Sequence, residues 1–173
     1  MNRPMQYDPK QTGAPPPIEP TGFFTGIQLR PILTGVVVDT IATIALVSGY
    51  YAFYVAPGAG KGAAFEEQAA KFWASGDGLL ASLLLGALGT LIGGFYAAYK
   101  AGALEMKHGA LVGIGSILLG LFMQSGGSEM PEWFMALSFA AAIPAGALGG
   151  FLAEMFKGAG GRRPPAGSGR PLG

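Results

Sequence analysis

The feature that most constrains the fold is an apolar stretch from Leu79 to Tyr99 that contains no charged residue. Small residues recur in it every three or four positions and so share one face of a helix: Gly86, Gly89 or Thr90, Gly93 and Ala97. In water each internal glycine costs a helix about 1 kcal/mol relative to alanine. In lipid the same residues let a neighbouring backbone approach closely. The stretch therefore predicts a membrane-spanning helix with a packing face.

The composition of the whole chain agrees with a membrane protein. Half of its 173 residues are apolar and only 12% are charged, whereas a soluble domain is about 25% charged. Runs apolar enough to cross roughly 30 Å of hydrocarbon are expected at about residues 32–54, 78–99, 109–123 and 131–156, the third being short. We therefore predict an all-α integral membrane four-helix bundle within a membrane domain at residues 23–157.

Three segments lie outside the predicted spans. The proline-rich tail 1–22 and the basic tail 158–173 are predicted to be disordered. Residues 63–74, between the first two spans, have helical periodicity, and Glu67 and Lys71 are placed to pair at i,i+4. The aromatic residues of this segment share the other face: Phe65, Phe72 and Trp73. The pattern is typical of a helix lying on the membrane surface, or of a solvated helical loop.

The basic residues are distributed unequally between the two sides of the predicted bundle. Four spans place both tails and the middle connection on one side, which carries nine of the eleven basic residues: Arg3, Lys10, Arg30, Lys100, Lys107, Lys157, Arg162, Arg163 and Arg170. The other side carries only Lys61 and Lys71. Because basic loops stay in the cytoplasm, we predict a multi-pass protein of the cytoplasmic (inner) membrane with both termini cytoplasmic.

A short motif occurs twice along the chain. Gly93-Gly94-Phe95 followed by Ala97 is echoed by Gly149-Gly150-Phe151 followed by Ala153. Both copies fall at the cytoplasmic end of an outward-to-inward span, which indicates a parallel duplication of a two-helix hairpin. Together with Gly113 on the third span, the expected packing residues are Gly86, Gly89, Gly93, Gly94, Ala97, Gly113, Gly149 and Gly150.

Three short segments carry a resemblance to a known group of proteins. They are Gly93-Gly94-Phe95-Tyr96-Ala97-Ala98, Lys107-His108-Gly109-Ala110-Leu111-Val112-Gly113 and Gly35-Val36-Val37-Val38-Asp39. Together they resemble small glycine-rich four-span bacterial membrane proteins of unknown function, over about residues 30–156. The resemblance implies the fold and brings no activity with it.

Asp39 is the one charged residue within the first predicted span. It lies roughly 10 Å below the cytoplasmic surface at 1.5 Å per residue, where a carboxylate costs several kcal/mol and marks a candidate proton or cation site. The same depth on the other spans falls at Gly93-Gly94, Gly115-Ser116 and Gly149-Gly150. These small residues predict either close backbone packing or a small polar cavity around the acid. Alternatively, Asp39 is neutral, or bonds Thr43 and a neighbouring backbone group, and only fixes the packing.

The other polar residues suggest no catalytic chemistry. The chain has no cysteine and one histidine, so we expect no catalytic residue, metal site or cofactor. His108 is predicted to be an interfacial polar residue, and Lys100 and Glu154 are expected to pair or to extend to the headgroups. A net charge of +1 gives no reason to expect a nucleic-acid partner.

Two functions remain open from the sequence, and neither is enzymatic. The first is a packing or scaffold subunit, or a homo-oligomer, whose partners are the lipid bilayer and other membrane proteins or a second copy. The alternative is a small proton-coupled transporter using Asp39. A lone acid in the first of four spans resembles small multidrug exporters, in which a membrane carboxylate exchanges protons for a cationic substrate. The long first outer loop, both tails and the missing aromatic box around the acid depart from that pattern.

Overall fold

The structure, a computed structural model, describes residues 25–58, 62–124 and 131–160. Within these ranges the chain is helical and has no strand. The predicted disordered tails fall largely outside the described residues. The helices are α1 (Leu29–Tyr50), continued by a π-helical segment (Tyr51–Val55) and a 3-10 turn (Ala56–Gly58), then α2 (Ala63–Ala74), α3 (Gly76–Ala101), α4 (Glu105–Gln124) and α5 (Glu132–Gly160).

Four of these helices are long and apolar enough to cross a membrane: α1 with its continuation, α3, α4 and α5. The prediction of an all-α, multi-pass four-helix bundle is confirmed. The helices extend beyond most of the predicted boundaries, and in the third span α4 begins at Glu105 rather than at Gly109. The third span is therefore not short, because the polar first turn of α4 is helical as well.

The ends of α3 follow from local backbone chemistry. Ser75 precedes the helix, and its hydroxyl accepts a hydrogen bond from the backbone N–H of Gly78 at 3.2 Å, which satisfies one of the free amides at a helix N-terminus. At the other end Gly102 adopts a left-handed conformation with φ 72°, which glycine permits without steric cost. Only residues 102–104 then separate α3 from α4, so the two helices run antiparallel.

Glycines form the contacts between neighbouring helices. A Cβ added to Gly35 on α1 would lie 2.7 Å from the Cβ of Ala97 and 2.9 Å from the carbonyl oxygen of Gly93, both on α3. Between α4 and α5, Gly113 meets the backbone of Ala142. The same close approach holds for most of the predicted packing glycines, which contact side chains or backbone of another helix: Gly89, Gly93, Gly94, Gly113, Gly149 and Gly150.

The repeated glycine pairs do not pack in the same way. Gly93 faces α1, where a Cβ would meet the Gly35 carbonyl at 2.5 Å and Asp39 Cβ at 2.6 Å. Gly149, the matching residue of the second copy, faces α3 at Leu91 and Phe95. The two hairpins therefore share a sequence motif, but Gly93 contacts the other helix of its own hairpin, whereas Gly149 contacts a helix of the other hairpin.

The outward face of α1 is apolar. Its exposed large side chains recur at helical spacing: Leu29, Leu33, Val37, Ile41 and Ile44. The buried residues Ile32, Gly35 and Asp39 lie on the inward face. A soluble protein rarely exposes an apolar face of this extent, whereas the interior of a bilayer accommodates it. The bundle thus turns its large side chains to lipid and its small ones to neighbouring helices.

Helix α2 covers the end of α1 through aromatic contacts. Tyr51 stacks on Trp73 with ring centroids 6.3 Å apart and meets Phe65 edge-on at 5.5 Å. On the exposed side of α2, Lys71 and Glu67 pair at 2.7 Å. An exposed pair of this kind contributes about 0.3–0.5 kcal/mol, so the aromatic contacts hold α2 in place. That α2 lies on the membrane surface stays a prediction.

We predict that Gly93→Leu destabilises the bundle. A branched side chain at this position forces α1 and α3 apart, and overpacking of this kind costs about 1–3 kcal/mol. The measurement is the free energy of unfolding in mixed micelles titrated with SDS. Gly49→Leu is the matched control, because a Cβ at Gly49 meets nothing within 4 Å while the gain in helix propensity is the same. Equal stability of the two variants would contradict the assigned contact.

Candidate functional site

Asp39 lies near the middle of α1 with its side chain only 5% exposed. The helix presents it to α3 and α4 because it shares the inward face with Gly35. Gly89 and Gly93 on α3 have no side chains to keep that helix away, and a Cβ at Gly89 would lie 3.1 Å from Asp39 Oδ1. The carboxyl group is therefore enclosed by α3 and α4. It lies at the level where glycines bring α1 and α3 into close contact.

Hydroxyl groups from three helices donate to the Asp39 carboxylate. Thr43, one turn further along α1, donates to Oδ1 at 3.3 Å. Thr90 on α3 lies 3.3 Å from Oδ1 and 3.4 Å from Oδ2, and Ser116 on α4 donates to Oδ2. The acid thus links α1 to both of its neighbours.

Two of these hydroxyls have a second acceptor. Thr90 also donates to the carbonyl of Gly86 at 3.1 Å, and Ser116 to the carbonyl of Val112 at 3.0 Å. A hydroxyl carries a single hydrogen and two acceptor lone pairs. Each of the two can therefore turn its hydrogen to its own helix and present a lone pair to whatever occupies the site.

A cavity of about 340 Å³ adjoins the carboxylate. It is partly open and is lined by all four long helices, and among the residues that the structure describes Asp39 is the only charged one in its lining. From the acid it extends past Ser82 and Ser138 towards Met123 near the end of α4, which is the end of the bundle away from residues 25 and 160. A volume above 300 Å³ falls in the range of small-molecule sites.

Gly86 lies in the wall of this cavity and not at a helix contact. A Cβ there meets nothing within 4 Å, whereas Gly89 and Gly93, one and two turns further along, touch α1. The prediction that Gly86 packs against another helix is therefore wrong. The reason is that α1 and α3 are close at Gly93 and no longer touch at Gly86, and the space between them becomes part of the cavity.

On the side of the termini, Asp39 is backed by closely packed residues. Ala97 and Val112 are completely buried, and both lie against Gly35. Together they fill the space between α1, α3 and α4. The carboxylate thus has a cavity on one side and a packed layer on the other.

His108 is buried beneath that layer. It has no exposed surface; its Nε2 accepts the backbone N–H of Gln28 at 3.0 Å, and its Nδ1 lies 3.0 Å from the carbonyl of Leu104. Gln28 in turn donates its side-chain amide to the carbonyl of Ala101 at 3.1 Å. The expected interfacial histidine is instead an internal contact, because residues 25–28 fold over it.

The ion pair at this end of the bundle involves other residues than those expected. Lys157 on α5 pairs with Glu105 at 3.1 Å and donates to the Ala98 carbonyl at 3.0 Å. Glu154 is exposed, and Lys100 lies 5.7 Å from the centre of the Tyr96 ring. Lys157 therefore ties α5 to both α3 and α4.

Part of this site is predictable from the sequence. The sequence marks Asp39, offers Thr43 as its partner and has Ser116 at the same depth. It does not show that Thr90 and Ser116 bond the carboxylate. Gly149 and Gly150, expected at the level of the acid, pack instead against Phe95 and Glu105. The sequence signal that points to Thr90 and Ser116 is that each places a hydroxyl on the small-residue face of its span.

Comparison of the chain with protein-family models, with curated proteins and with solved structures returns no match. The resemblance to small glycine-rich four-span bacterial membrane proteins therefore stays a prediction, and the case for a function depends on the site itself.

We predict that a thiol placed in the cavity reacts with a water-soluble reagent. The chain has no cysteine, so Ser138→Cys reports alone when a small cationic methanethiosulfonate is added to opened membranes. Leu148→Cys, exposed on the same helix, should stay unlabelled because a thiol in lipid does not ionise. Adding Gly86→Leu should slow labelling of Ser138→Cys at least tenfold by filling the cavity. Equal labelling rates at the two positions would contradict the cavity.

Proposed function

We propose that this protein is a small proton-coupled transporter of the cytoplasmic membrane, with Asp39 as the group that exchanges a proton for a substrate cation. The observation that carries the proposal is the position of Asp39, which is the only charged residue within 25–58, 62–124 and 131–160 that lines the cavity inside the bundle. A helix bundle held only by packing has no need of a buried acid beside open space, since both cost stability.

The surroundings of Asp39 suit a group that changes its charge. As a carboxylate it accepts hydrogen bonds from Thr90 and Ser116, which offset part of the cost of a charge at membrane depth. As a neutral acid it leaves these hydroxyls bonded to the carbonyls of Gly86 and Val112. Both protonation states therefore keep their neighbours hydrogen-bonded, so neither state disrupts the bundle.

The proposal includes an orientation. With both termini in the cytoplasm, as the excess of basic residues on that side favours, the cavity faces outward and the layer around Gly35, Ala97 and Val112 closes the cytoplasmic side. This arrangement corresponds to one state of an alternating-access cycle, in which the site is reached from one side at a time.

The proposed orientation predicts which introduced thiols can be labelled in intact cells. Cysteines introduced at Gly60 and Ser128 should react with an impermeant maleimide added outside, because the loops that carry them face outward. Cysteines at Gln11 and Ser168 should react only after the cells are opened. Labelling of a cysteine at Ser168 in intact cells would contradict the proposed orientation.

We predict that the purified protein in liposomes dissipates a pH gradient when given a cation that it exchanges. A trapped pH dye reports the lumen while NaCl, KCl, tetraphenylphosphonium or ethidium is added outside. Asp39→Asn should abolish the response, because an amide cannot carry the proton. Thr40→Val, which also lines the cavity but donates to the Val36 carbonyl at 2.9 Å, should retain it.

A second candidate is the packing or scaffold subunit, acting with other membrane proteins or with a second copy. It is favoured by the completeness of the internal bonding: among the described residues, every buried side-chain nitrogen and oxygen has a hydrogen-bond partner. In this case no cation in the panel dissipates the gradient, and Asp39→Asn instead lowers the stability of the bundle or its recovery with partners. A gradient response that depends on Asp39 would exclude the packing-only function.

A further inference from the structure

We infer that the Asp39 carboxylate and the hydroxyls of Thr43, Thr90 and Ser116 form a binding site for a small monovalent metal cation, Na⁺. The inference rests on the proposed function and makes it more specific, because Na⁺ would be the cation that Asp39 exchanges for a proton. The site is built from residues of three helices and lies at the closed end of the cavity.

The donor atoms suit a hard cation of single charge. All four groups offer oxygen, which hard cations prefer over nitrogen or sulfur. Asp39 supplies one negative charge, and no other charged residue in the described part of the chain lines the cavity. A monovalent cation therefore neutralises the site, whereas a divalent cation would leave an unpaired positive charge at membrane depth, which is costly.

The distances between the oxygens also suit a shared cation. Thr43 and Thr90 lie 3.3 Å from Asp39 Oδ1, while a good O–H···O hydrogen bond measures about 2.7–2.8 Å. Oxygens that each lie about 2.4 Å from one cation are about 3.4 Å apart along an octahedral edge. The hydroxyls of Thr43 and Thr90 are thus spaced from Oδ1 as neighbouring ligands of an ion of that size are spaced.

The hydroxyls of Thr90 and Ser116 have other hydrogen-bond acceptors when an ion binds. A hydroxyl that ligates a cation must point a lone pair at it and its hydrogen away. Thr90 has the Gly86 carbonyl at 3.1 Å, and Ser116 has the Val112 carbonyl at 3.0 Å, as acceptors on their own helices. Binding of a cation therefore redirects the hydrogens of Thr90 and Ser116 to these two carbonyls.

The backbone around the acid sets the size of the ion. Gly35, Gly89 and Gly93 bring α1 and α3 into contact at this level, so the ligands cannot move apart freely. A larger ion such as K⁺ requires more widely separated oxygens than Na⁺ and would have to spread the helices. The same packing favours a bare ion at the carboxylate over the head of an organic amine, which would displace the hydroxyls.

Exchange at this site conserves charge and atoms. The neutral acid releases its proton to water in the cavity as Na⁺ enters, and the carboxylate oxygens become ligands of the ion. Reversal takes up one proton and releases one Na⁺. Because both cations compete for the same oxygens, the apparent affinity for Na⁺ should fall tenfold for each pH unit below the pH at which Asp39 ionises.

Thermal unfolding and proton release of the 173-residue chain in detergent test the inference. NaCl should raise the Tm at pH 8 in a saturable way, whereas KCl or choline chloride at equal ionic strength should not. Adding NaCl to lightly buffered protein should release close to one proton per chain, read with a pH indicator. Lowering the pH should weaken the Na⁺ response as stated above.

The variants separate ligands from mere neighbours. Thr90→Val and Ser116→Ala should each weaken the apparent affinity for Na⁺ at least fivefold, and Thr90→Ser should restore it, while Thr40→Val should leave it unchanged. Asp39→Asn should abolish both responses; if it does not fold, the hydroxyl variants still decide. Equal effects of NaCl, KCl and choline chloride between pH 5.5 and 8.5 would overturn the inference, as would stabilisation by tetraphenylphosphonium but not by NaCl.

The same measurements separate this inference from the proposed transport. Na⁺ binding without any dissipation of the pH gradient would leave the site in place and reject the transporter. Dissipation driven by another cation, with no Na⁺ response in Tm or proton release, would leave the transporter in place and reject the Na⁺ site.

Discussion

The contact between α1 and α3 at Gly35 and Gly93 is the constraint on which the rest of the structure depends. A Cβ at either glycine would lie within 3 Å of atoms on the other helix, so the two backbones touch. In lipid, where apolar side chains gain little by leaving their surroundings, such close contact is a main source of helix association. The contact also places Asp39 against α3, because the acid lies one turn beyond Gly35 on the same face. Packing and the polar site thus have one origin.

Much of the fold could be predicted because hydropathy is a property of single segments. The four long helices follow from apolar runs of sufficient length, and Asp39 stands out because one charge in such a run is a rare signal. The pattern of small residues was less informative. Gly86, Gly89 and Gly93 have the same spacing, yet only the last two touch α1. Periodicity identifies a helix face, and it does not reveal where along that face two helices cross and where they separate.

The hydroxyl partners of Asp39 could not be predicted from the sequence for a related reason. Thr90 and Ser116 each bond a carbonyl of their own helix, a common way to satisfy a hydroxyl in an apolar span, so their residue types alone do not point to the acid. Their meeting at Asp39 depends on the register of three helices. His108 illustrates the same limit, because its burial depends on residues 25–28 crossing the end of the bundle.

The connections between the helices differ in length, and so does what holds each helix in place. A three-residue link joins α3 to α4, and Lys157 ties α5 to the ends of both through Glu105 and the Ala98 carbonyl. Helix α1 is joined to α3 through the long segment from Tyr51 to Ser75, so its position depends on glycine packing against α3 and on the hydrogen bonds that Asp39 and Gln28 make with α3 and α4. A change in the bonding of Asp39 therefore acts directly on the contacts that hold its own helix in the bundle.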